Sequence, residues 1–240
     1  NGFLLFVPAW ATSKVDPTTG YMNYCSFIYE NLVKAKRIVE TFESIKFNTK
    51  HKYFEFLIDY KPLVRTNRCE NYAKSKWTIC SGNSLRSIWD KTKSKYENIN
   101  VNDILISLFD KYSIDYKSGN DIVGQLLSSN SAELFKTIFN MLNTLNQIVY
   151  FNNDNNGSYI LSPILNTDNK FYDSRLIKDN SYPKCGDSNS AYHTALKGLY
   201  FIKSIKEIPN LPLITLANGI QKSPEPKLPY SENWANFILK

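Results

Sequence analysis

The hydrophobic and polar positions of this chain follow two different periods in different segments. Apolar side chains alternate with polar ones over residues 52–60, which predicts a strand with one buried face, the second arm of a hairpin. Short extended runs predict further strands at residues 3–8, 76–80, 159–161 and 170–172. Apolar residues at helical spacing predict helices over residues 27–42, 133–150 and 189–206.

The positions of the apolar residues also predict which side of each helix is buried. On the last of them we expect the apolar residues to face the core, namely Tyr192, Ala195, Leu196, Leu199 and Ile202. A proline-rich linker is predicted at 223–229 and a short closing helix at 231–239. Strands and helices do not alternate regularly, so a doubly wound sheet is not expected and the predicted fold class is α+β.

One acidic residue, Asp187, stands where an irregular segment passes into the predicted helix at 189–206. Ser188 or Asn189 can cap this helix, and the carboxylate lies at its positive end. Such a carboxylate suits a metal ligand on a rigid mount, although on pattern alone a residue that only flanks a helix is favoured. His193 follows six residues later, off the helical face of Asp187, so a catalytic relay between them is not expected.

The positive charge of the chain is concentrated in one segment. The 240 residues carry a net charge of +7, and residues 61–95 contain nine basic and two acidic residues, which is the same excess. Such a concentration of positive charge favours the binding of a polyanion such as a nucleic acid, and aromatic residues among the cations could stack on unpaired bases. The alternative is a solvated loop with ordinary core tryptophans. The candidate nucleic-acid-binding residues are Lys61, Arg65, Arg68, Lys74, Lys76, Trp77, Arg86, Lys91, Lys93 and Lys95.

The cysteines and the first residues bear on where the chain works. The four cysteines have no C-x-x-C spacing and only two histidines accompany them, so a zinc site is not expected. Scattered cysteines of this kind suit a reducing compartment, and we expect a cytoplasmic protein without disulfides. The apolar run at residues 2–8 is too short to span a membrane. The chain begins with Asn1, and we expect it to be a fragment of a longer protein.

Eight short motifs then occur in a fixed order along the chain. They are Gly2–Ala9, Thr12–Gly20, Tyr53–Phe56, Lys76–Thr78, Tyr159-x-Leu161-Ser162-Pro163, Phe171–Arg175, Asp187-x-Asn189-x-Ala191-Tyr192 and Ser231-x-x-Trp234-x-x-Phe237. In this order they resemble the C-terminal part of the type V-A CRISPR effector nucleases, which are RNA-guided DNA endonucleases. The resemblance extends over essentially the whole chain.

This resemblance implies a domain organisation and a mechanism. RNase H-like (RuvC) elements are expected at residues 1–16 and 187–240, flanking a Nuc domain of mixed α/β structure at 17–186 that guides single-stranded DNA, target and non-target strands alike, to the cutting site. In the family three carboxylates hold two Mg²⁺ ions, and Asp187 matches the third. The other two would lie upstream, so we expect no cleavage by this chain alone. The implied partners are DNA, a guide RNA and the upstream part of the same protein.

Three positions depart from the family pattern. Val149 stands where the family has an arginine that can bind phosphate, and Ser158 stands where it has an acidic residue. Ser190 replaces a glycine and would strain the loop if the backbone there has a positive φ. These departures keep two alternatives open: a nucleic-acid-binding remnant or module without chemistry, and a structural or partner-binding domain whose basic segment is only surface.

Overall fold

The structure, a computed structural model, contains helices together with small antiparallel sheets, as the α+β prediction requires. It describes residues 9, 12–23, 25–63, 75–82, 85–153, 157–178 and 181–207. After a short 3-10 helix at Thr12–Lys14, the elements in chain order are α1 (Leu32–Val39), β1 (Phe42–Asn48), β2 (Tyr53–Asp59), β3 (Lys76–Cys80), β4 (Leu85–Asp90), β5 (Lys95–Asn100), α2 (Val101–Lys111), α3 (Val123–Ser128), α4 (Ala132–Asn146), β6 (Val149–Phe151), β7 (Ser158–Leu165), β8 (Phe171–Asp173) and α5 (Gly186–Glu207).

The first sheet has the strand order β1-β2-β3, and all its pairings are antiparallel. The predicted alternation at residues 52–60 is confirmed, because Phe54, Phe56 and Ile58 are fully buried on one face of β2. This face packs against the helical segment 101–146, where the Phe54 and Phe109 rings meet edge to face with centroids 4.9 Å apart. The burial of these apolar side chains stabilises this layer.

Two smaller sheets follow. Strands β4 and β5 form an antiparallel hairpin in which Trp89 pairs with Tyr96, and this hairpin was not predicted from the sequence. In the third sheet β7 lies between β6 and β8, with Val149 opposite Ile160 and Phe151 opposite Ser158. The predicted extended segments near 160 and 171 are therefore confirmed as β7 and β8.

Two predicted helices were too long. The first begins at Leu32 rather than at residue 27, because Asn31 caps it by accepting a hydrogen bond from the Lys34 amide at 2.9 Å. Phe42, predicted to be helical, begins β1 instead. Helix α4 ends at Asn146, where the chain becomes extended, so Val149 lies in β6 and not in the helix. The errors at the two C-terminal ends have one cause: an apolar residue at helical spacing is equally compatible with the strand that follows.

Several predictions fall outside the described residues: the strand at 3–8, the linker at 223–229 and the closing helix at 231–239. The helices and strands described within residues 1–16 and 187–240 are the 3-10 helix at Thr12–Lys14 and α5, and these do not by themselves form an RNase H-like sheet. The domain boundaries remain predictions. None of the described helices has the length and apolar character needed to cross a bilayer.

Candidate nucleic-acid site around Asp187

Asp187 lies in the first turn of α5 and its side chain is exposed. The turn is fixed by Ser188, whose Oγ accepts hydrogen bonds from the Lys184 and Cys185 amides, each at 3.0 Å. Ser188 therefore stabilises the helix start as predicted, but it does so from inside the helix by bonding back to the preceding amides. The same hydroxyl is the main reason that the pKa of the Cys185 thiol is lowered. The Asp187 carboxylate is thus held on a rigid helix start whose dipole attracts negative charge.

The first residue of α5 sits directly against the two positions at which the sequence departs from the family pattern. The Gly186 amide donates a hydrogen bond to Ser158 Oγ at 2.9 Å. A Cβ on residue 186 would lie 3.2 Å from that oxygen and 3.3 Å from Cγ1 of Val149. The side chains of Val149 and Ser158 therefore border the helix start that presents Asp187. An arginine or an acidic residue at these positions would lie next to Asp187, which the sequence could not reveal.

The buried side of α5 is polar, so the predicted apolar face was wrong. Asn189, His193 and Lys197, four residues apart, are buried, whereas Leu199 is 55 % exposed. Asn189 supplies the reason: its Nδ2 donates to the carbonyl oxygens of Ser13 at 3.0 Å and Val15 at 2.8 Å. Backbone carbonyls around the 3-10 helix need donors, and a helix face of polar side chains provides them.

Two titratable groups on this face are strongly shifted. Burial lowers the pKa of His193 to about 4 and that of Lys197 to about 8. The neutral His193 ring bonds through Nδ1 to the Asn189 carbonyl oxygen at 2.9 Å. The His193 side chain is fully buried and packs in the interior. Ser190 lies within α5, so the conditional strain at this position does not arise, and its Oγ bonds with Thr12 Oγ1 at 2.8 Å.

The predicted nucleic-acid-binding residues divide into three groups: those that are exposed, those that are buried, and those outside the described residues. Lys61, Lys76, Lys91, Lys93 and Lys95 are exposed, whereas Arg65, Arg68 and Lys74 lie outside the described residues. Acidic neighbours neutralise part of the exposed group: Lys76 pairs with Glu43, and Lys93 Nζ lies 2.6 Å from Glu97. Lys95 lies 3.9 Å from the same carboxylate. Formal charge in this segment therefore overstates the field that a ligand would meet.

Two predicted contact residues are buried, and these predictions were wrong. Trp77 is 4 % exposed and packs edge to face on Tyr21, with ring centroids 5.2 Å apart. Its place in β3 on the buried side of the first sheet makes it a core residue, the alternative kept open above. Arg86 is 1 % exposed, and its guanidinium carbon lies 5.4 Å from the centroid of the Tyr150 ring. Neither side chain can contact a nucleic acid in this structure.

A comparison with protein-family models matches residues 15–176 to the model described as NUC, nuclease domain. This match covers well over half of the chain. The chain belongs to the nuclease-domain family. Membership gives it a nuclease-related role and supports nucleic-acid binding. The matched residues include Val149 and Ser158 but end before Asp187, so the nuclease domain contributes the wall beside the helix start, and α5 contributes the carboxylate.

The nuclease domain also carries a basic cleft that the charge count along the sequence missed. The cleft has a volume of about 1330 Å³ and is lined on one side by the β1–β2 turn and on the other by the β7–β8 turn. Lys50, Lys52 and Lys170 lie on its walls and form no ion pair with any described residue. Tyr53 and Phe171 meet edge to face on its floor, with centroids 5.8 Å apart. Lys170 is more than one hundred positions from Lys50 and Lys52 in the sequence, so only the fold brings it to them.

The part of the chain that the structure describes has no group of three histidine, cysteine or acidic side chains close enough to hold a metal ion. Asp187 is an accessible oxygen ligand of the type that Mg²⁺ prefers. A single carboxylate does not hold a pair of divalent ions, so the described residues alone do not fit a magnesium site. Further ligands would have to come from other residues.

Proposed function

We propose that this chain is part of an RNA-guided DNA endonuclease, in which the nuclease domain brings single-stranded DNA to a cutting site that includes Asp187. The single observation that carries the proposal is the contact of Gly186 with Val149 and Ser158, which joins the end of the nuclease domain to the helix start bearing this carboxylate. The sequence resemblance supplies the RNA guide and the longer protein. The guide would read the target by base pairing while the protein holds the strand.

Within this proposal the chain supplies strand handling and one acidic ligand. The exposed Lys91 and the cleft lysines Lys50, Lys52 and Lys170 offer unneutralised positive charge to a phosphate backbone. Cleavage needs two further carboxylates and Mg²⁺, which activates water and stabilises the leaving oxygen when bound. The isolated chain therefore binds DNA and does not cut it.

A second candidate function is a nucleic-acid-binding module without chemistry. The observation that favours it is the identity of the two side chains beside the start of α5: Val149 carries no charge and Ser158 no carboxylate. Valine cannot make the two-pronged phosphate contact of an arginine. This candidate retains strand binding and lacks cutting in any context.

The experiment that separates the two candidates measures cleavage of labelled single-stranded DNA by the longer protein with Mg²⁺, comparing Asp187→Ala with the original. We expect cleavage to fall by about 100-fold to 1,000-fold, the order of loss seen when a transition-state stabilising group is removed. Asp115→Ala, an exposed acid between α2 and α3 and outside the cleft, is the matched control and should leave cleavage unchanged. If the original protein does not cut the substrate, the module without chemistry is favoured. If Asp187→Ala cuts as fast as the original protein, Asp187 is not part of the cutting site.

A further inference from the structure

Three aromatic side chains form one partly exposed surface on the nuclease domain. Trp89 is 51 % exposed and Phe151 is 45 % exposed, and Tyr96 lies between them. The Tyr96 centroid is 5.0 Å from that of Trp89, edge to face, and 5.9 Å from that of Phe151, with only 26° between the ring planes. Single exposed apolar residues are common, but three rings in contact are the kind of patch that marks a binding surface. We call Trp89, Tyr96 and Phe151 the aromatic surface.

This aromatic surface is held rigidly by its backbone. The Asn153 side chain accepts a hydrogen bond from the Tyr96 amide at 2.7 Å and donates one to the Tyr96 carbonyl oxygen at 2.6 Å. Ser87 Oγ donates to the Phe151 carbonyl oxygen at 2.5 Å. These three bonds fasten the β4–β5 hairpin to the end of β6. The rings are therefore presented by paired strands rather than by a loose loop, which reduces the entropy lost when a ligand stacks on them.

The aromatic surface lies beside the helix start that carries Asp187. Phe151 pairs with Ser158 across β6 and β7, and the Oγ of Ser158 accepts the hydrogen bond from the Gly186 amide. Residues opposite each other in such a pair are about 5 Å apart. One strand pair and one hydrogen bond thus separate Phe151 from the residue that precedes Asp187. A strand resting on the rings would have its next few nucleotides near this carboxylate.

Positive charge stands at the outer end of the aromatic surface. Lys91 is exposed at the tip of the β4–β5 hairpin and forms no ion pair with any described residue, whereas Lys93 is neutralised by Asp90 and Glu97. Flat rings beside a cation suit single-stranded nucleic acid, because unpaired bases expose their faces while bases in a duplex do not. Duplex DNA would offer this surface only its phosphates.

We propose that Trp89, Tyr96 and Phe151 stack on unpaired bases of single-stranded DNA and so hold the strand beside Asp187. This proposal rests on the proposed function for its substrate, and it adds the residues that select single strands and set their position. Trp89 is one of the aromatic residues within the basic segment 61–95, whereas Tyr96 and Phe151 lie outside that segment.

The test compares two probes of equal length and charge: an oligothymidine and an abasic strand with the same phosphates. The original chain should bind the oligothymidine more tightly, by between about fivefold and about 100-fold for each stacked base. Trp89→Leu with Phe151→Leu should lose this preference while keeping its affinity for the abasic strand. Trp89→Phe with Phe151→Tyr, which keeps flat rings, should restore most of it. Ile28→Ala, an exposed apolar residue outside the aromatic surface, is the control and should change neither affinity.

Equal binding of both probes by the original chain overturns the proposal, as does a leucine variant that keeps its preference while its thermal unfolding is unchanged. If the double leucine variant does not fold, the same two affinities are compared in Trp89→Leu alone and in the variant that keeps flat rings. The proposed function fails in a different way, through cleavage by the longer protein with Asp187→Ala. If the leucine variant loses the base preference but Asp187→Ala still cuts, the proposed function is wrong and the stacking proposal stands. If the leucine variant keeps the preference but Asp187→Ala no longer cuts, the stacking proposal is wrong and the proposed function stands.

Discussion

The Gly186 amide and the Ser158 hydroxyl are joined by a hydrogen bond of 2.9 Å that fixes the first turn of α5 to β7. The approach is so close that a Cβ on residue 186 would come within 3.2 Å of the acceptor oxygen. Val149, a β-branched residue with few side-chain conformations, closes the other side at 3.3 Å. The position of Asp187 relative to the nuclease domain therefore depends on a residue without a side chain.

Replacing this glycine is expected to destabilise the chain. In Gly186→Ala the new Cβ would stand closer to Ser158 and Val149 than an ordinary van der Waals contact, so both must shift, at a cost of about 1–3 kcal/mol. The helix propensity of alanine offsets up to about 1 kcal/mol of this, so a net loss of about 1 kcal/mol is expected. Urea unfolding followed by circular dichroism measures the difference.

The control for this prediction is a second helical glycine. Gly124 lies in α3, and a Cβ there would have nothing within 4 Å. Gly124→Ala should therefore raise the free energy of unfolding by about 0.5–1 kcal/mol. An equal gain from both substitutions would show that the contact at residue 186 is not tight.

Arg86 and Lys91 belong to the same basic segment and differ in exposure, which gives a direct test of what charge on this segment does. Arg86→Met should leave the affinity for single-stranded DNA within about twofold, because the guanidinium is buried. Lys91→Met should weaken binding several-fold and reduce the slope of log affinity against log salt by about 0.7. Fluorescence anisotropy at several salt concentrations measures both quantities. A larger effect from Arg86→Met than from Lys91→Met would contradict the exposures on which the prediction is based.

The buried histidine predicts how stability depends on pH. The pKa of His193 is about 4 in the fold and about 6.5 in an unfolded chain, so between these values the unfolded chain binds more protons. The free energy of unfolding should therefore rise as the pH is raised from about 4 to about 6.5, by at most about 3 kcal/mol. Lys197, with a pKa of about 8 in the fold, should add a second rise between pH 8 and about 10.5.

Urea midpoints measured from pH 4.5 to 7.5 test the histidine part of this prediction. His193→Gln should flatten the profile in that range, whereas His51→Gln, at an exposed position, should leave it steep. A profile that is equally steep in His193→Gln would assign the pH dependence to other groups. The interval above pH 8 belongs to Lys197 and should be unchanged in both variants.

The sequence predicted strand β2 and its buried face because alternation over nine residues has only one structural interpretation. The predicted buried face of α5 was wrong because a distant segment determines which residues are buried. The carbonyl oxygens of Ser13 and Val15 need hydrogen-bond donors, and polar residues of α5 provide them. The cleft lysines could not be found for a similar reason, since Lys52 and Lys170 become neighbours only when β2 and β8 are placed. The place of Asp187 at a helix start was predicted and is confirmed, whereas the contact of this helix start with Val149 and Ser158 could not be predicted, because it depends on how β6 and β7 are placed.

The cleft lysines give the last prediction, which separates a local effect from the effect of net charge. Changing Lys50, Lys52 and Lys170 to Gln removes three charges that no described acid neutralises. We expect weaker binding of single-stranded DNA at low salt and a salt slope reduced by up to about 2, since each lost phosphate contact contributes about 0.7. Glutamine is chosen because Lys52 has a φ of 60°, where an unbranched side chain is tolerated better than a branched one.

The matched control removes three lysines that are already paired, Lys34 with Glu30, Lys111 with Glu133 and Lys117 with Asp110. Its net charge is the same as that of the cleft variant, so long-range attraction of the DNA is reduced equally. If both variants lose affinity and salt slope to the same extent, the cleft is not a contact site and only total charge matters. If the cleft variant alone loses salt slope, the strand passes through the cleft between the β1–β2 and β7–β8 turns, and the path of DNA over the nuclease domain includes a surface that the linear charge pattern does not contain.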